Sequence, residues 1–452
     1  MKKFIETIKN ILSIEDLRAR IITTLGLLLV YRLGSYVVLP GVDSTVLEAV
    51  NANNAGGGIM DLINIFAGGA FNRASIFALG IMPYISASIV IQLLGMAIPY
   101  FQRLQKEGES GRRKINQITR VLTIAITGFQ APGYIATQVA NYPGVVPNEG
   151  PLWWFSTVLL LITGTMFVMW IGERITEKGI GNGISLLIMI GIIANLPSAF
   201  VFEIGSRFGI GGVGGPIILL VEVAVLLVVI LVTILLVQGT RKIPVQYAKR
   251  IVGNKQYGGV RDYIPLKVNA AGVMPIIFAQ AIMFIPMTLA GFGDSGATSW
   301  IVTTFSNPNG FAYNLTFFLM IIAFTYFYTA VTINPNQMAE EMKRSGGFIQ
   351  GVKPGKRTAE FIDNVMSRIT LPGSMFLALV AILPAFAAIF GVNQAFAYFY
   401  GGTSLLIMVG VILDTLQQIE SHLLMRHYDG LTKSGRIKGR SSNMFQSSGL
   451  HQ

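Results

Sequence analysis

The chain lacks cysteine, has three histidines in 452 residues, and carries few charged side chains of either sign. Without cysteine it can have no disulfide framework, thiolate metal site or thiol nucleophile. The histidines (His422, His427 and His451) all lie at or beyond the C-terminal edge of the last apolar stretch, so none is placed for a proton relay. We therefore expect no metal, no cofactor and no enzymatic step.

Apolar residues are what the chain has in abundance. Hydrophobic side chains make up 52% of it and charged ones 12%, a composition typical of polytopic membrane proteins. The segment Met1–Arg20 is charged and the first apolar stretch is long enough for a full span, so we expect no cleavable signal. Hydropathy predicts ten spans, at residues 21–39, 74–98, 120–140, 152–171, 183–202, 216–238, 270–291, 311–333, 369–390 and 399–424.

The positive charges support this number of spans. Of the 34 Lys and Arg residues, all but Arg32, Arg73 and Arg207 lie in the N-terminus, the loops after even-numbered spans, or the C-terminus. The positive-inside bias gives this pattern when the number of spans is even and both termini are cytoplasmic. The net charge of +12 therefore reflects topology and does not by itself argue for nucleic acid.

The apolar stretch from Ile59 to Leu94 is too long for one crossing. As a single helix it would measure about 54 Å, against a hydrocarbon core of about 30 Å. Two adjacent glycines and a polar pair within Ala67–Arg73 make a continuous helix costly. We predict a short apolar helix, a turn, and a full span from about Ala74 to Ile98. Because broken helices survive at membrane depth only inside protein or beside a cavity, the break indicates a pore or transport site.

Two phrases recur five spans apart. The second and seventh spans share Gly80-Ile-Met-Pro83 and Gly272-Val-Met-Pro275, and the fifth and tenth share Gly183–Met189 and Gly402–Met408. Two matches in one register indicate a 5+5 duplication with halves of opposite orientation, because five is odd. The predicted units are residues 1–204 with spans one to five, an outer hinge loop at 205–215, residues 216–424 with spans six to ten, and a cytoplasmic tail at 425–452.

Chemically active groups are sparse within the spans. Arg32, Glu222 and Asp414 are the clearest ionisable residues there, and a structural role by snorkelling or interhelical hydrogen bonding is favoured for each. Gly209–Gly214 fits a dinucleotide motif but follows no strand, and Lys353–Thr358 lacks the upstream glycine of a phosphate loop. No ATPase is visible, so energy must come from a partner, a gradient or the substrate.

Five longer phrases are distinctive: Ala74–Ile89, Lys106–Lys114, Gly179–Ile184, Pro265–Asn269 and Gly401–Ile407. In order along essentially the whole chain, they resemble the SecY family of bacterial protein-conducting channels. The resemblance implies an all-α fold of ten transmembrane helices in the plasma membrane, with a reentrant plug. It also implies the partner subunits SecE and SecG, the motor ATPase SecA, ribosomes, signal sequences and nascent chains, and membrane lipid.

The resemblance also implies a plug and a constriction. The plug corresponds to residues 59–69, with Ile59, Leu62, Ile63, Asn64, Phe66, Gly68 and Gly69 as its site residues, although an ordinary amphipathic turn remains an alternative. The constriction is a ring of aliphatic side chains that excludes water and ions yet yields to a passing polypeptide. The ring residues carried over are Ile81, Ile85, Ile184, Ile188, Ile277 and Ile407.

A lateral gate is expected between the second and seventh spans, where Pro83 and Pro275 lower the cost of bending. Ser88 and Gln92, opposite Gln280, form a hypothetical polar latch there, with generic interhelical hydrogen bonds as an equal alternative.

The basic loops at 239–269 and 334–368 are expected to dock ribosomes or SecA. In the second loop, Lys353 stands where the family has an arginine; lysine keeps the charge but cannot make arginine's bidentate hydrogen bonds. At the tip of the first loop, Asn254-Lys255 stands where the family has two basic residues. The candidate contacts are Arg241, Lys242, Arg250, Lys255, Lys353, Lys356 and Arg357.

A small-solute secondary transporter is the rival interpretation, because inverted repeats with broken helices also describe that class. Such a transporter should bring polar or charged groups together at mid-membrane, whereas an apolar ring is predicted here. A purely structural scaffold would leave the reentrant helix unexplained.

Overall fold

The structure is a computed structural model of the chain, and its backbone is described for the following residues: 14–53, 64–208, 215–247, 250–252, 255–257, 261–290 and 309–434.

Ten long helices dominate the described residues, and each overlaps one of the ten predicted spans. They form because apolar runs of helical length must satisfy their backbone hydrogen bonds internally within a membrane. The ten are α1 (Glu15–Gly34), α3 (Met82–Ala97), α5 (Glu109–Tyr134), α6 (Pro151–Lys178), α7 (Gly183–Phe208), α8 (Gly215–Gln238), α9 (Met274–Ala290), α10 (Phe311–Thr332), α12 (Lys356–Ile389) and α14 (Gly402–Ser434).

Four shorter helices connect them. Among the described helices, six are long and apolar enough to cross a membrane alone, and the bent pair α3–α4 brings the number to seven. Of the remaining three, α1 and α5 begin with charged turns and α9 has only 17 residues. The shorter helices are α2 (Ser44–Asn53), α4 (Pro99–Lys106), α11 (Pro335–Arg344) and α13 (Gln394–Ala397).

The second span does not begin its helix at Ala74, and this prediction was wrong. Residues 67–81 form successive turns, and α3 begins only at Met82. Gly80 lies at φ +52°, a left-handed conformation that favours glycine. Pro83 occupies the first turn of α3, where a backbone N–H has no acceptor within the helix and its absence in proline costs nothing. The repeat phrase in the seventh span behaves in the same way, because Gly272 has φ +63° and α9 begins at Met274. The shared phrase therefore specifies a helix start.

Strands occur in the long loops that join α8 to α9 and α10 to α12. β1 pairs antiparallel with β4, from Thr240 opposite Lys267 to Gln246 opposite Arg261, and also with β5. A separate apolar cluster that includes Ile243, Ile349 and Ile362 joins both loops to the start of α12. The helical fold class is confirmed, and the strands are an addition that the sequence analysis missed. They are β1 (Thr240–Tyr247), β2 (Arg250–Val252), β3 (Lys255–Tyr257), β4 (Arg261–Lys267) and β5 (Gly347–Phe348).

The main hydrophobic cluster lies where helices from both ends of the chain meet. It contains side chains of α1, α6 and α7 together with side chains of α13 and α14. A second cluster packs the 67–79 turns against α5 and α6, and a third joins α9, α10, α12 and α14. We call residues 15–208 the N-terminal half and residues 215–434 the C-terminal half.

Candidate functional site

The six isoleucines carried over as ring residues belong to one hydrophobic cluster. Ile81, Ile188 and Ile407 are buried in it, with 6%, 4% and 3% of their surfaces exposed, while Ile85, Ile184 and Ile277 are partly buried against it. Four helices supply them. Ile81 precedes α3 and Ile85 lies in its first turn; Ile184 and Ile188 are four residues apart on α7; Ile277 and Ile407 lie on α9 and α14. The fold thus brings together residues that are up to 326 positions apart (407 minus 81).

The described end of the predicted plug packs against the same cluster. Of the plug residues, Ile59, Leu62 and Ile63 lie outside the described residues, whereas Asn64, Phe66, Gly68 and Gly69 lie within them. Phe66 is buried in the cluster beside Ile65. Gly68 and Gly69 have φ +65° and +85°, so the chain reverses there through conformations that favour glycine. We call residues 64–73 the return turn.

Two arginines hold the return turn by its backbone carbonyls. Arg32 on α1 donates from Nη1 to the Gly68 carbonyl at 2.6 Å, and Arg73 donates to the carbonyls of Gly69 at 3.1 Å and Gly68 at 3.3 Å. Tyr36 lies beneath both guanidinium groups, 5.0 Å from that of Arg32 and 4.2 Å from that of Arg73. Charged donors make strong bonds, so the turn is fixed to α1. The sequence marked Arg32 as structural but gave no sign of its partner.

The return turn is also fixed to α7. Asn195 donates from Nδ2 to the Ile65 carbonyl at 3.3 Å, and Asn64 accepts from the backbone N–H of Asn72 at 3.0 Å. Gly191 allows this approach, since a Cβ there would lie 2.5 Å from the Phe66 carbonyl oxygen. Sequence reasoning missed Asn195, although a lone asparagine within an apolar span was a usable signal.

We call the interface between α3 and α9 the front seam. Each of these helices has its extensive backbone contacts within its own half: α3 with α4 and α5, and α9 with α10. Among the described residues of α3 and α9, no hydrogen bond or ion pair joins the two helices. Ile85 in the first turn of α3 and Ile277 in the first turn of α9 both pack against the apolar cluster that holds the ring isoleucines.

The hypothetical latch residues stay on their own sides of the front seam in this structure. Gln92 donates to Ser88 at 3.5 Å, one turn away on the same helix. Gln280 lines a small cavity of about 50 Å³ together with Tyr313 and Ser404 of the C-terminal half. Pro83 and Pro275 both stand second in their helices, where a missing N–H is tolerated. The latch therefore stays a prediction.

We call the interface of α7 with α8, α13 and α14 the rear seam. There α7 has extensive backbone contacts with all three C-terminal elements. Phe200 of α7 and Phe396 of α13 have ring centroids 5.8 Å apart, in the same apolar cluster as the isoleucines. The rear seam is therefore packed along much of its length, in contrast to the front seam.

The predicted docking residues lie around the two long loops. Arg241, Lys242 and Lys353 are exposed, as are Lys356 and Arg357 in the first turn of α12. Arg250 falls in β2 and Lys255 in β3. Thr358 donates to the Lys353 carbonyl at 3.0 Å, which ties the turn bearing Lys353 to α12. Arg241, Lys242, Lys353, Lys356 and Arg357 are therefore exposed on a folded unit.

Comparisons with known proteins find similar sequences over most of the chain. The family described as SecY matches residues 75–416. The protein translocase subunit SecY of Halalkalibacterium halodurans is 46% identical over 436 residues, covering 94% of this chain and 99% of that protein. The protein translocase subunit SecY of Escherichia coli K12 is 43% identical over 433 residues, covering 94% and 96%.

A solved protein-conducting channel superposes with a TM-score of 0.60 at 16% identity, covering 92% of this chain and 95% of that one. At this identity the structural likeness speaks for the fold alone.

Proposed function

This chain belongs to the SecY family of protein translocase subunits, and on that premise we propose that it forms a protein-conducting channel. The channel passes unfolded secretory proteins across the plasma membrane and releases apolar segments sideways into lipid. It makes no covalent change to its substrate. The observation that carries the proposal is the convergence of six isoleucines from four helices into one cluster between the halves.

In this proposal the six isoleucines are the seal. An aliphatic constriction excludes water because wetting so narrow an apolar passage is unfavourable, which blocks ions in the closed state. The same side chains make no directional bonds, so they deform around a polypeptide of any sequence. The segment 59–69 acts as a plug on the outer side, and the burial of Phe66 against the cluster supports that role.

The two halves are inverted repeats of five spans, and the front seam is the lateral gate. Equivalent helix starts at Met82 and Met274, each preceded by a glycine of positive φ, support the duplication. Sparse contact along the front seam supports a gate, because little has to be broken for a signal sequence to enter between α3 and α9.

Both termini are cytoplasmic, and the two long loops face the cytoplasm of a bacterial cell. There their exposed cations dock ribosomes, whose RNA is anionic, and the motor SecA. A Sec61 chain solved in a canine ribosome–channel complex, with a TM-score of 0.57 and 15% identity over 92% of this chain and 95% of that one, supports the ribosome as a partner. SecE and SecG complete the membrane complex.

Site-specific photocrosslinking tests the channel. A photoreactive residue at Ile85 or Ile277 should crosslink to a secretory chain stalled in translocation, because both side chains line the passage. The same residue at Leu220, which is 70% exposed on α8, serves as the lipid-facing control. Absence of crosslinks at both isoleucines, together with uptake of a small solute by the purified complex, would favour the rival transporter class.

A further inference from the structure

A buried ionic cluster joins the halves at one end of the rear seam. Arg207, in the last turn of α7, donates from Nε to Glu203 at 2.9 Å and from Nη2 to Glu222 of α8 at 2.5 Å. The same Nη2 donates to the Gly391 carbonyl at 2.7 Å, after the end of α12. Glu203 accepts in addition from the backbone N–H of Asn393 at 3.0 Å. We call these contacts the hinge clasp.

The hinge clasp is sheltered from solvent. The side chains of Arg207, Glu203 and Glu222 are 9%, 0% and 7% exposed. Arginine keeps its charge when buried and offers several donors in a fixed plane, so one side chain can bind three chain segments at once. Breaking such a pair leaves an uncompensated buried charge, which is strongly unfavourable. The three segments are therefore held in a single arrangement.

A second polar contact joins the halves at the other end of α7. Gln418 of α14 accepts from the backbone N–H of Gly181 at 2.8 Å, just before α7 begins. Gly181 has φ +84° and precedes α7, so its N–H is not part of a helical hydrogen bond. The C-terminal half is thus tied to the N-terminal half at both ends of α7. Two fixed points define an axis, and this axis runs along α7.

Rotation about that axis moves the elements farthest from it most. Ile184 and Ile188 lie on α7 itself, whereas Ile85 and Ile277 lie at the front seam. A rotation of one half against the other therefore opens the front seam and displaces the front isoleucines, while those of α7 stay in place.

We propose that Arg207 is a positioning residue of the hinge: by binding Glu222 and the Gly391 carbonyl, it keeps the outer end of the rear seam closed while the front seam opens. The inference rests on the proposed channel function. Without the clasp the halves separate at the rear as well, and the isoleucine cluster loses its fixed side.

The test compares two variants that each remove an interhelical ion pair without leaving a buried charge. The first is Glu203→Gln/Arg207→Met/Glu222→Gln. The matched control is Arg120→Met/Glu173→Gln, which removes a 2.6 Å ion pair between α5 and α6 inside the N-terminal half. Arg207→Lys, which keeps the charge without the fork, is a second variant that perturbs folding less.

Because the chain has no cysteine, spin labels attach only where cysteine is introduced. One pair, Val201→Cys with Leu220→Cys, reports on the rear seam, and another, Val90→Cys with Tyr326→Cys, reports on the front. All four residues are exposed in the structure. Distances are measured by double electron–electron resonance on the complex in lipid nanodiscs, and halide leak is measured in proteoliposomes.

We expect the triple variant to lengthen and broaden the rear distance and to raise basal halide leak severalfold, with Arg207→Lys intermediate and the control unchanged. A folded triple variant, or a folded Arg207→Lys, with rear distances and leak equal to those of the parent would overturn the proposal. Neither readout needs a translocating substrate. Failure of the parent chain to transport a secretory precursor would therefore count against the proposed function and leave the hinge measurement intact.

Discussion

The rear seam and the front seam join the same two halves by different physics. At the rear, α7 is packed against three C-terminal elements and is tied by polar bonds at both of its ends. At the front, Ile85 of α3 and Ile277 of α9 pack against the same apolar cluster, and Gln92 of α3 bonds to Ser88 on its own helix. Directional buried bonds hold one geometry, whereas apolar contact tolerates sliding. The difference indicates which edge is built to stay closed.

The largest effect is expected from removing the buried cation of the rear seam. Arg207→Met alone leaves Glu203 and Glu222 buried without their cation, and we expect it to lower the free energy of unfolding by about 3–5 kcal/mol. Adding Glu203→Gln and Glu222→Gln should recover most of that loss, because no charge is then stranded. Thermal unfolding of the detergent-solubilised complex measures both. An equal loss in the single and triple variants would mean that packing, not charge, holds the rear seam.

The isoleucine cluster, which lies between the seams, gives the next largest effect. Ile188→Ser should cost about 2–5 kcal/mol, as other large-to-small core changes do, and should admit water and ions to the closed passage. Leu161→Ser, at a fully buried position of α6 in the second hydrophobic cluster, has a comparable cost and is the control. Halide leak in proteoliposomes should rise for Ile188→Ser only. A similar leak in both variants would assign the seal to packing in general.

The return turn tests whether a segment tied to both α1 and α7 moves as a unit. Arg32→Gln removes the charged donor to the Gly68 carbonyl, and we expect a loss of about 1.5–3 kcal/mol together with a rise in basal leak. Arg32→Lys retains a cation, so its stability and its leak should lie between those of the parent and of Arg32→Gln. Urea unfolding and leak are the measurements. If Arg32→Gln leaked no more than the parent, Arg73 and Asn195 alone would suffice to hold the turn.

The front seam should be the least sensitive. Gln92 bonds only to Ser88 on its own helix among the described residues, so Gln92→Leu should change the free energy of unfolding by no more than about 0.5 kcal/mol. Basal leak should match that of the parent, with Ser86→Ala on the same helix as a control. A variant that exported precursors with defective signal sequences would instead indicate that Gln92 helps to hold the gate closed, as the latch hypothesis predicts.

Much of this organisation could be predicted from the sequence because the signals are local. The span count follows from hydropathy, and the positions of Pro83 and Pro275 follow from the repeated phrase. The start of α3 could not be predicted from the sequence, because residues 67–81 are apolar enough for a helix. Their turns are stabilised only by packing against α1, α5 and α6, which the sequence does not show. The strands of the long loops were missed for a similar reason: β1 gains its partner 21 residues later in β4 (Ile264 opposite Ile243) and a further one in β5.

The sequence by itself determined the ten apolar helices, the basic loops, the absence of thiol and histidine chemistry, and the six isoleucines that a family resemblance marks as a ring. Tertiary structure alone decided that Arg32 reaches Gly68, that Gln418 reaches Gly181, and that Arg207 reaches Gly391. Those pairs are separated by 36, 237 and 184 residues. The physical reason is that helix formation depends on neighbours within a few residues, whereas a buried hydrogen bond depends on which distant backbone group the packing places within 3 Å.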